Sequence, residues 1–597
     1  MKIDAQQSRR DSVMVSDSRP KCRRTDGMTI EEFRECGEQI IDLIRDYIEH
    51  INLLKARSDR KPFYLQPLMP DHAPEKPEDW DSIMADFEDQ ILPGVNHVNH
   101  PCCFSYTPAA NSYPAILGDM LSSSIACHNF SWFSSPAATE LEMVALDWYA
   151  KAINLPKTFF HSFTRSKGGG CIQGSPSECI FTSLIAARHQ ALKALMVDKK
   201  KDEIVESCKI LSKLVAYTSK ESYPSIEKAA KLSYVRLRLL NVDKNNCLRG
   251  DILKKAIEAD IREGFVPFYV AATLGTTTVC SFDNVKEIAQ VCSDYSLIWL
   301  HVDAAYAGNA FICPEFRYLM SGIEYARSIN VCPSTWFLVN FDCSCLWVQN
   351  YQHLIESLAV NKLYLQDDWE DETVEFRQWG IPLSRRFRAL KLWLVLRCYG
   401  INGIQYHIKR HCHLAKLFES YIKKDKRFIL MNDCLMGVVC FRVAQLDDYE
   451  SVTEDQLTQL LLALINVSGK VSGTPVYVQS FFSIRLCICY DNATEEHIAN
   501  AWTAISNCLT ILETYFTERA QFSVRKPLSY KEQIEYLDFL RSNSSTRSIP
   551  QSEYRRLAFG AKINDFYSPI YVPESDDDIA EKIDLGKLLK RGGRLSI

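Results

Sequence analysis

Residues 297–308, LIWLHVDAAYAG, are almost wholly apolar up to Asp303. A continuous run of branched and aromatic residues predicts a strand buried on both faces rather than one exposed on alternate residues. KLVAY (213–217), YVRLRLL (234–240) and VPFYVAAT (266–273) have the same character. Between these runs lie helix-patterned segments, SPSECIFTSLIAARHQALKALM (175–196) and VKEIAQVCSDY (285–295). Strands alternating with helices predict right-handed βαβ units around a mostly parallel sheet, an α/β fold. Ligands of open α/β sheets bind beyond the carboxyl ends of strands, and Asp303 stands at one.

Outward from this core, the order of the chain reads as follows. Residues 1–27 form a polar arm with seven basic and four acidic side chains, read as disordered. Met28, Phe33, Ile40, Ile41, Ile44, Tyr47 and Ile48 recur at helical spacing. Residues 56–110 read as extended packing segments. A long helical region is expected at about 384–424. GVVCFRV (437–443) and SIRLCICY (483–490) then predict a smaller α+β domain, and 521–597 reads as a polar tail.

Composition narrows the function. The chain has 597 residues, 69 basic against 74 acidic, so it carries no global positive field and nucleic acid is a poor partner. No run reaches 18 apolar residues, so no membrane span is expected. The 22 cysteines include no C-x-x-C pair, and many lie in apolar runs. Without a signal-peptide pattern at the amino end, they read as reduced core thiols of a cytoplasmic protein.

Three strand ends carry polar residues. GGGCIQGSPSE (168–178) sets glycines before Ser175-x-x-Glu178, a capping box, with Pro176 at the first helical position. That pattern is a phosphate cradle, or else a well-capped helix after a flexible loop. Asp303 requires a positive partner if buried, either a protonated pyridine nitrogen or an arginine. ATLGTTT (272–278) offers small residues and hydroxyls that could flank a planar ring.

In their order and spacing these motifs resemble the pyridoxal-phosphate-dependent group II amino acid decarboxylases. FSWFSSPAATELE (130–142), HVDAAYAGNAFICPEFR (301–317), NFDCS (340–344) and IPLSRRFRALKLW (381–393) carry the resemblance, which runs from about residue 28 to 520. Among aromatic amino acid, histidine and tyrosine decarboxylases, SKES (219–222), SIEKAA (225–230), KDKRF (424–428) and INVSGK (465–470) look most like invertebrate tyrosine decarboxylases.

The resemblance implies a fold-type I (aspartate aminotransferase-like) dimer with its active site at the subunit interface, binding pyridoxal 5′-phosphate and converting an aromatic amino acid to an amine and CO2. It assigns 28–110 to a segment packing on the partner, 111–400 to a large cofactor-binding domain and 401–520 to a small domain. It places Asp303 on the pyridine nitrogen, Ser175 and Ser177 on the phosphate and Thr273 beside the ring. Tyr364 falls on a loop that supplies a proton, and Tyr106 and Pro108 line the substrate pocket. No metal is implied.

The sequence also departs from the family. The cofactor lysine of relatives lies in Asn-Pro-x-Lys-Trp; here the segment is Cys332-Pro333-Ser334-Thr335-Trp336. Thr335 cannot form the imine that a lysine amine forms. Tyr223 replaces the ring-stacking histidine, and phenol has a different proton inventory. Cys332 replaces a phosphate-side asparagine, Pro176 removes an amide from the cradle, and Val98 replaces a tryptophan. Two readings stay open: a pseudoenzyme that pairs with itself or with an active paralogue, or a decarboxylase holding its cofactor noncovalently. Lys362 and Lys220 are poor substitutes for an amine fixed at a strand end. Ser384 leans away from a strict dopa or tryptophan enzyme. His407, His411 and His413 read as a solvated helical face rather than metal ligands, and Cys343 and Cys345 as core.

Overall fold

The computed structural model describes residues 27–520 apart from 59, 163–166, 197–201, 361–372 and 445–452. The apolar runs pair into a seven-stranded sheet. Its strands are β1 (Gly169–Gln173), β2 (Leu214–Ser219), β3 (Arg236–Leu240), β4 (Val266–Thr273), β5 (Trp299–Asp303), β6 (Ser328–Val331) and β7 (Ser344–Val348). The order is β1-β7-β6-β5-β4-β2-β3. Only β7 runs against its neighbours, so the sheet is mostly parallel, as expected. Val270, Ala272, Leu300, Val302, Ile329 and Val331 feed one buried cluster, while Tyr269, Ala271, Trp299, Leu346 and Val348 feed the other. Both faces are covered, which is why these strands read as continuous apolar runs.

Two local readings are corrected. YVRLRLL is not buried on both faces. Its strand, β3, lies at the sheet edge with Arg236 exposed, and Arg238 pairs with Asp260 at 2.7 Å. Two of the three glycines of GGGCIQ, Gly169 and Gly170, do not form a flexible loop; they belong to β1. A Cβ on Gly170 would come within 2.6 Å of the Trp347 indole, so glycine here admits an aromatic ring from the next strand.

As the other edge strand, β1 would leave backbone groups unpaired. A buried ion pair takes those of Ile172. Glu142, on helix α1 (Pro136–Ala152), accepts from the Ile172 amide at 2.8 Å, and Arg385 donates to the Ile172 carbonyl at 2.9 Å. Arg385 also donates to both Glu142 oxygens. This gives the arginines of IPLSRRFR a structural role; Arg388 likewise donates to Asp342 at 2.7 Å.

The carboxyl-terminal strands form a second, antiparallel sheet: β8 (Phe428–Leu430), β9 (Val438–Val443), β10 (Thr474–Val478) and β11 (Phe481–Cys487), in the order β10-β11-β9-β8. Residues 102–110 are stitched to it. Ser472 donates to the Cys102 carbonyl (2.9 Å), Phe104 to the Ser472 carbonyl (3.1 Å) and Cys487 to the Phe104 carbonyl (2.8 Å). No helix among the described residues is long and apolar enough to cross a membrane. Every cysteine among them is a free thiol, most are buried, and Cys343 and Cys345 lie in the core as expected.

The helical region Ala389–Lys424 breaks at Gly400, where φ is +61°. The solvated reading of its histidines is overturned for two of the three. His407 and His411 are buried with ring centroids 4.3 Å apart, and the Trp336 indole donates to His411 Nδ1 at 3.1 Å. Their helix packs inward on residues that the pattern of the helix alone did not identify. Only His413 is exposed, beside Glu495.

Replacing Arg385 with Met would strand the Glu142 charge and the Ile172 carbonyl. We expect a loss of about 3 kcal/mol or more in urea unfolding. Burial lowers the pKa of His411 to about 3. The unfolded chain therefore takes up the proton first, and this histidine withdraws stability as pH falls from its unfolded value of about 6.5. Between pH 6 and 4, His411→Gln is expected to reduce the acid slope of stability by about 1.4 kcal/mol per pH unit.

Candidate active site

Asp303, Thr273 and Asn330 lie side by side, in register at the carboxyl ends of β5, β4 and β6. Asp303 is buried, and no lysine or arginine pairs with it among the described residues. Its Oδ1 accepts from the Ala305 amide (3.1 Å) and from Asn330 Nδ2 (2.9 Å), while Oδ2 has no donor among the described residues. Burial raises its pKa, and these two hydrogen bonds oppose the rise. The arginine alternative considered from sequence is thus absent among the described residues, and one oxygen of this aspartate is left without a donor there.

Thr273 is fixed through its backbone. Its amide donates to Asp283 at 2.8 Å, and its carbonyl accepts from the Asp283 amide at 3.0 Å. Burial pushes the Asp283 carboxyl up to about 7. The loop that follows turns at Gly275, with φ +87° and Ala307 so close that a Cβ would stand 2.4 Å from the Ala307 methyl. Only glycine meets both demands.

Beyond β1, Ser175 caps helix α2 (Pro176–Leu195) by accepting from the Glu178 amide at 3.3 Å. The reciprocal half of the capping box is missing: the Glu178 carboxylate accepts instead from Gly174, at 2.8 Å. The amides of Ser175 and Ser177 therefore have no partner among the described residues. Pro176 has none to offer. Two free amides at the start of a 20-residue helix suit an anion.

Beyond β6, Thr335 lies on the short helix Pro333–Trp336, its amide donating to the Cys332 carbonyl at 3.0 Å. Cys332 turns inward. Its thiol reaches the Cys343 carbonyl at 3.4 Å and the Ser334 hydroxyl at 3.2 Å, and burial raises its pKa. Ala110 donates to the Ser334 carbonyl at 3.0 Å, which ties the segment holding Tyr106 and Pro108 to the residue before Thr335. Pro108 is buried; Tyr106 is exposed with φ +66°, its carbonyl accepting from Arg485 at 2.6 Å. Tyr223 is half exposed on the turn after β2. That turn is held to the loop after β4 by Thr278, which donates to Glu221 at 2.7 Å. Tyr364 and Lys362 lie outside the described residues.

Sequence reading passed over Ser328, His301 and Asn330. Asn330 bonds Asp303 directly, and the signal was available: two polar residues at period two in the otherwise apolar run SINV (328–331).

A buried aspartate with one unpaired oxygen and no cation beside it, together with two free helix-start amides, fits a phosphorylated pyridine, the first at its ring nitrogen and the second at its phosphate. Comparisons with known proteins agree. Residues 62–444 match the pyridoxal-dependent decarboxylase conserved domain. The chain is 42% identical over 480 residues to the aromatic-L-amino-acid decarboxylase of Cavia porcellus, covering 80% of this chain and 97% of that protein. It is 42% identical over 487 residues to the histidine decarboxylase of Drosophila melanogaster, covering 81% of this chain and 56% of that one. The structure of Oryza sativa TDC with PLP and tryptamine superposes with a TM-score of 0.78 at 32% identity, over 81% of this chain and 99% of that one. The chain belongs to the pyridoxal-dependent decarboxylase family, and within it to the group II aromatic amino acid decarboxylases.

Gly275→Ala would force a methyl onto Ala307 at a left-handed backbone position. In urea unfolding it is expected to lose about 2 kcal/mol more than Gly264→Ala, where φ is also positive but no atom lies within 4 Å.

Proposed function

We propose that this chain binds pyridoxal phosphate without a covalent link, turns over aromatic L-amino acids poorly, and acts mainly by pairing with a second decarboxylase chain, its own copy or a paralogue. The observation that carries the reading is Thr335, in the position of the family's cofactor lysine.

The chain's own residues divide the work. The Ser175 and Ser177 amides hold the phosphate, Asp303 Oδ2 balances the positive ring nitrogen, and Thr273 and Tyr223 border the ring. When bound, pyridoxal phosphate supplies an electron sink for the pair left behind as CO2 departs. What the chain lacks is an amine at the strand end to load substrate and release product. A hydroxyl at Thr335 neither donates such a nitrogen nor accepts a proton at neutral pH. Losing a group that acts in the reaction costs several kcal/mol, or orders of magnitude in rate.

Two exposed apolar faces support pairing. Ile30, Phe33 and Ile41 project from the helix Ile30–Glu49, and Leu117, Met120 and Leu121 from the helix Tyr113–Ile125. Exposed apolar faces of this kind mark interfaces between chains.

Purified chain loaded with pyridoxal phosphate should lose it on dialysis both before and after borohydride treatment. It should form amine from tyrosine, histidine or dopa at under about 1% of the rate of a Thr335→Lys, Tyr223→His variant. Amine formation by the unaltered chain at a rate near that of the variant would overturn the impairment. Co-expression with an active relative should yield a mixed dimer with altered activity; homodimers alone would count against the pairing.

A further inference from the structure

The sheet face that holds Asp303 carries four more buried polar side chains. Trp299, His301 and Asp303 alternate along β5, and Ser328 and Asn330 on β6 stand in register with His301 and Asp303. They form one line of hydrogen bonds. Trp299 Nε1 meets Ser328 Oγ at 2.7 Å, Ser328 Oγ meets His301 Nδ1 at 2.8 Å, His301 Nε2 meets Asn330 Oδ1 at 2.8 Å, and Asn330 Nδ2 meets Asp303 Oδ1 at 2.9 Å.

Elementary chemistry fixes the direction. An indole N–H can only donate, so Ser328 accepts from Trp299 and gives its own hydrogen to His301 Nδ1. Reversal would make both rings donate to Ser328 and leave its hydrogen without an acceptor among the described residues. A neutral imidazole that accepts at Nδ1 carries its hydrogen on Nε2, and it donates to the Asn330 carbonyl. The Asn330 amide is then turned toward Asp303, where it can only donate. Burial lowers the pKa of His301 to about 4, which agrees with a neutral ring, and the Tyr269 ring packs on it at 6.1 Å.

We propose that Trp299, Ser328, His301 and Asn330 are positioning residues for Asp303. Their one-way chain holds the carboxylate ionised through Oδ1, so that Oδ2 is presented to a cationic ring nitrogen, and it does so without any help from the residue at 335. The inference rests on the cofactor reading above and predicts that noncovalent recognition of the ring survives the loss of the lysine.

The probe is pyridoxamine 5′-phosphate, which has no aldehyde and so cannot link to any lysine. Its affinity for the full-length chain and the absorption band that reports ring protonation are measured together. Asn330→Leu should weaken binding about ten-fold and shift the band toward the unprotonated ring. His301→Leu should do the same to a lesser degree. His301→Gln, whose amide can replace the Nε2 donor, should restore both readouts. Equal binding and an unchanged band in Asn330→Leu and His301→Leu would overturn the proposal.

A second measurement needs neither ligand nor a disruptive variant. In protein labelled with 15N-histidine, the signals lost in His301→Gln should report a neutral ring with hydrogen on Nε2. An imidazolium or an Nδ1–H ring would overturn the proposal. Failure of the unaltered chain to bind the probe, with the His301 signals as expected, would count against the cofactor reading and leave the assigned direction of the chain standing.

Discussion

The Glu142–Arg385 pair does for β1 what a neighbouring strand would do. It takes both outward backbone groups of Ile172, and the strand it completes leads directly into Ser175 and the start of α2. The candidate anion-binding end of the site therefore stands on a buried ion pair. Buried pairs contribute little net energy over apolar residues of the same shape, because desolvation offsets most of the attraction. Their geometry is the useful part here: a planar guanidinium donates to a carboxylate and a peptide carbonyl together, which fixes one register.

The sheet was legible because both its faces are buried. Continuous apolar runs at 266–273 and 299–303 and the helix at 176–195 appear nearly as read. Edges were harder. β3 has the same branched residues as the central strands, and only its two arginines mark it as a border. β1 was hidden by glycines whose purpose, clearance for Trp347 and its neighbours, depends on residues nearly two hundred positions away. The same distance problem hid the burial of His407 and His411; Trp336, the partner of His411, belongs to another part of the chain.

The site was partly legible for a related reason. Residues at strand ends are named by local patterns, so Asp303, Thr273 and Ser175 stood out. Their supports did not. Whether Glu178 closes on Ser175 or on Gly174 is decided by loop conformation, and a polar residue in an apolar strand, such as Asn330, has meaning only once its cross-strand neighbour is known. The replacement at Thr335 was visible from the motif alone. The structure adds that the strand ends beside it, at Thr273, Asp303 and Asn330, are in register.

Residues 102–110 bear on how such a frame moves. The segment is bonded to Ser472 and Cys487 at one end and to Ser334 at the other, with Arg485 gripping the Tyr106 carbonyl between them. It works as a tie rod. The antiparallel sheet, the segment carrying Tyr106 and the turn carrying Thr335 are linked in series by short, mostly buried hydrogen bonds, so displacement of one is transmitted to the others. Local adjustment of Tyr106 and Pro108 is correspondingly restricted, because the segment that holds them is bonded at both ends.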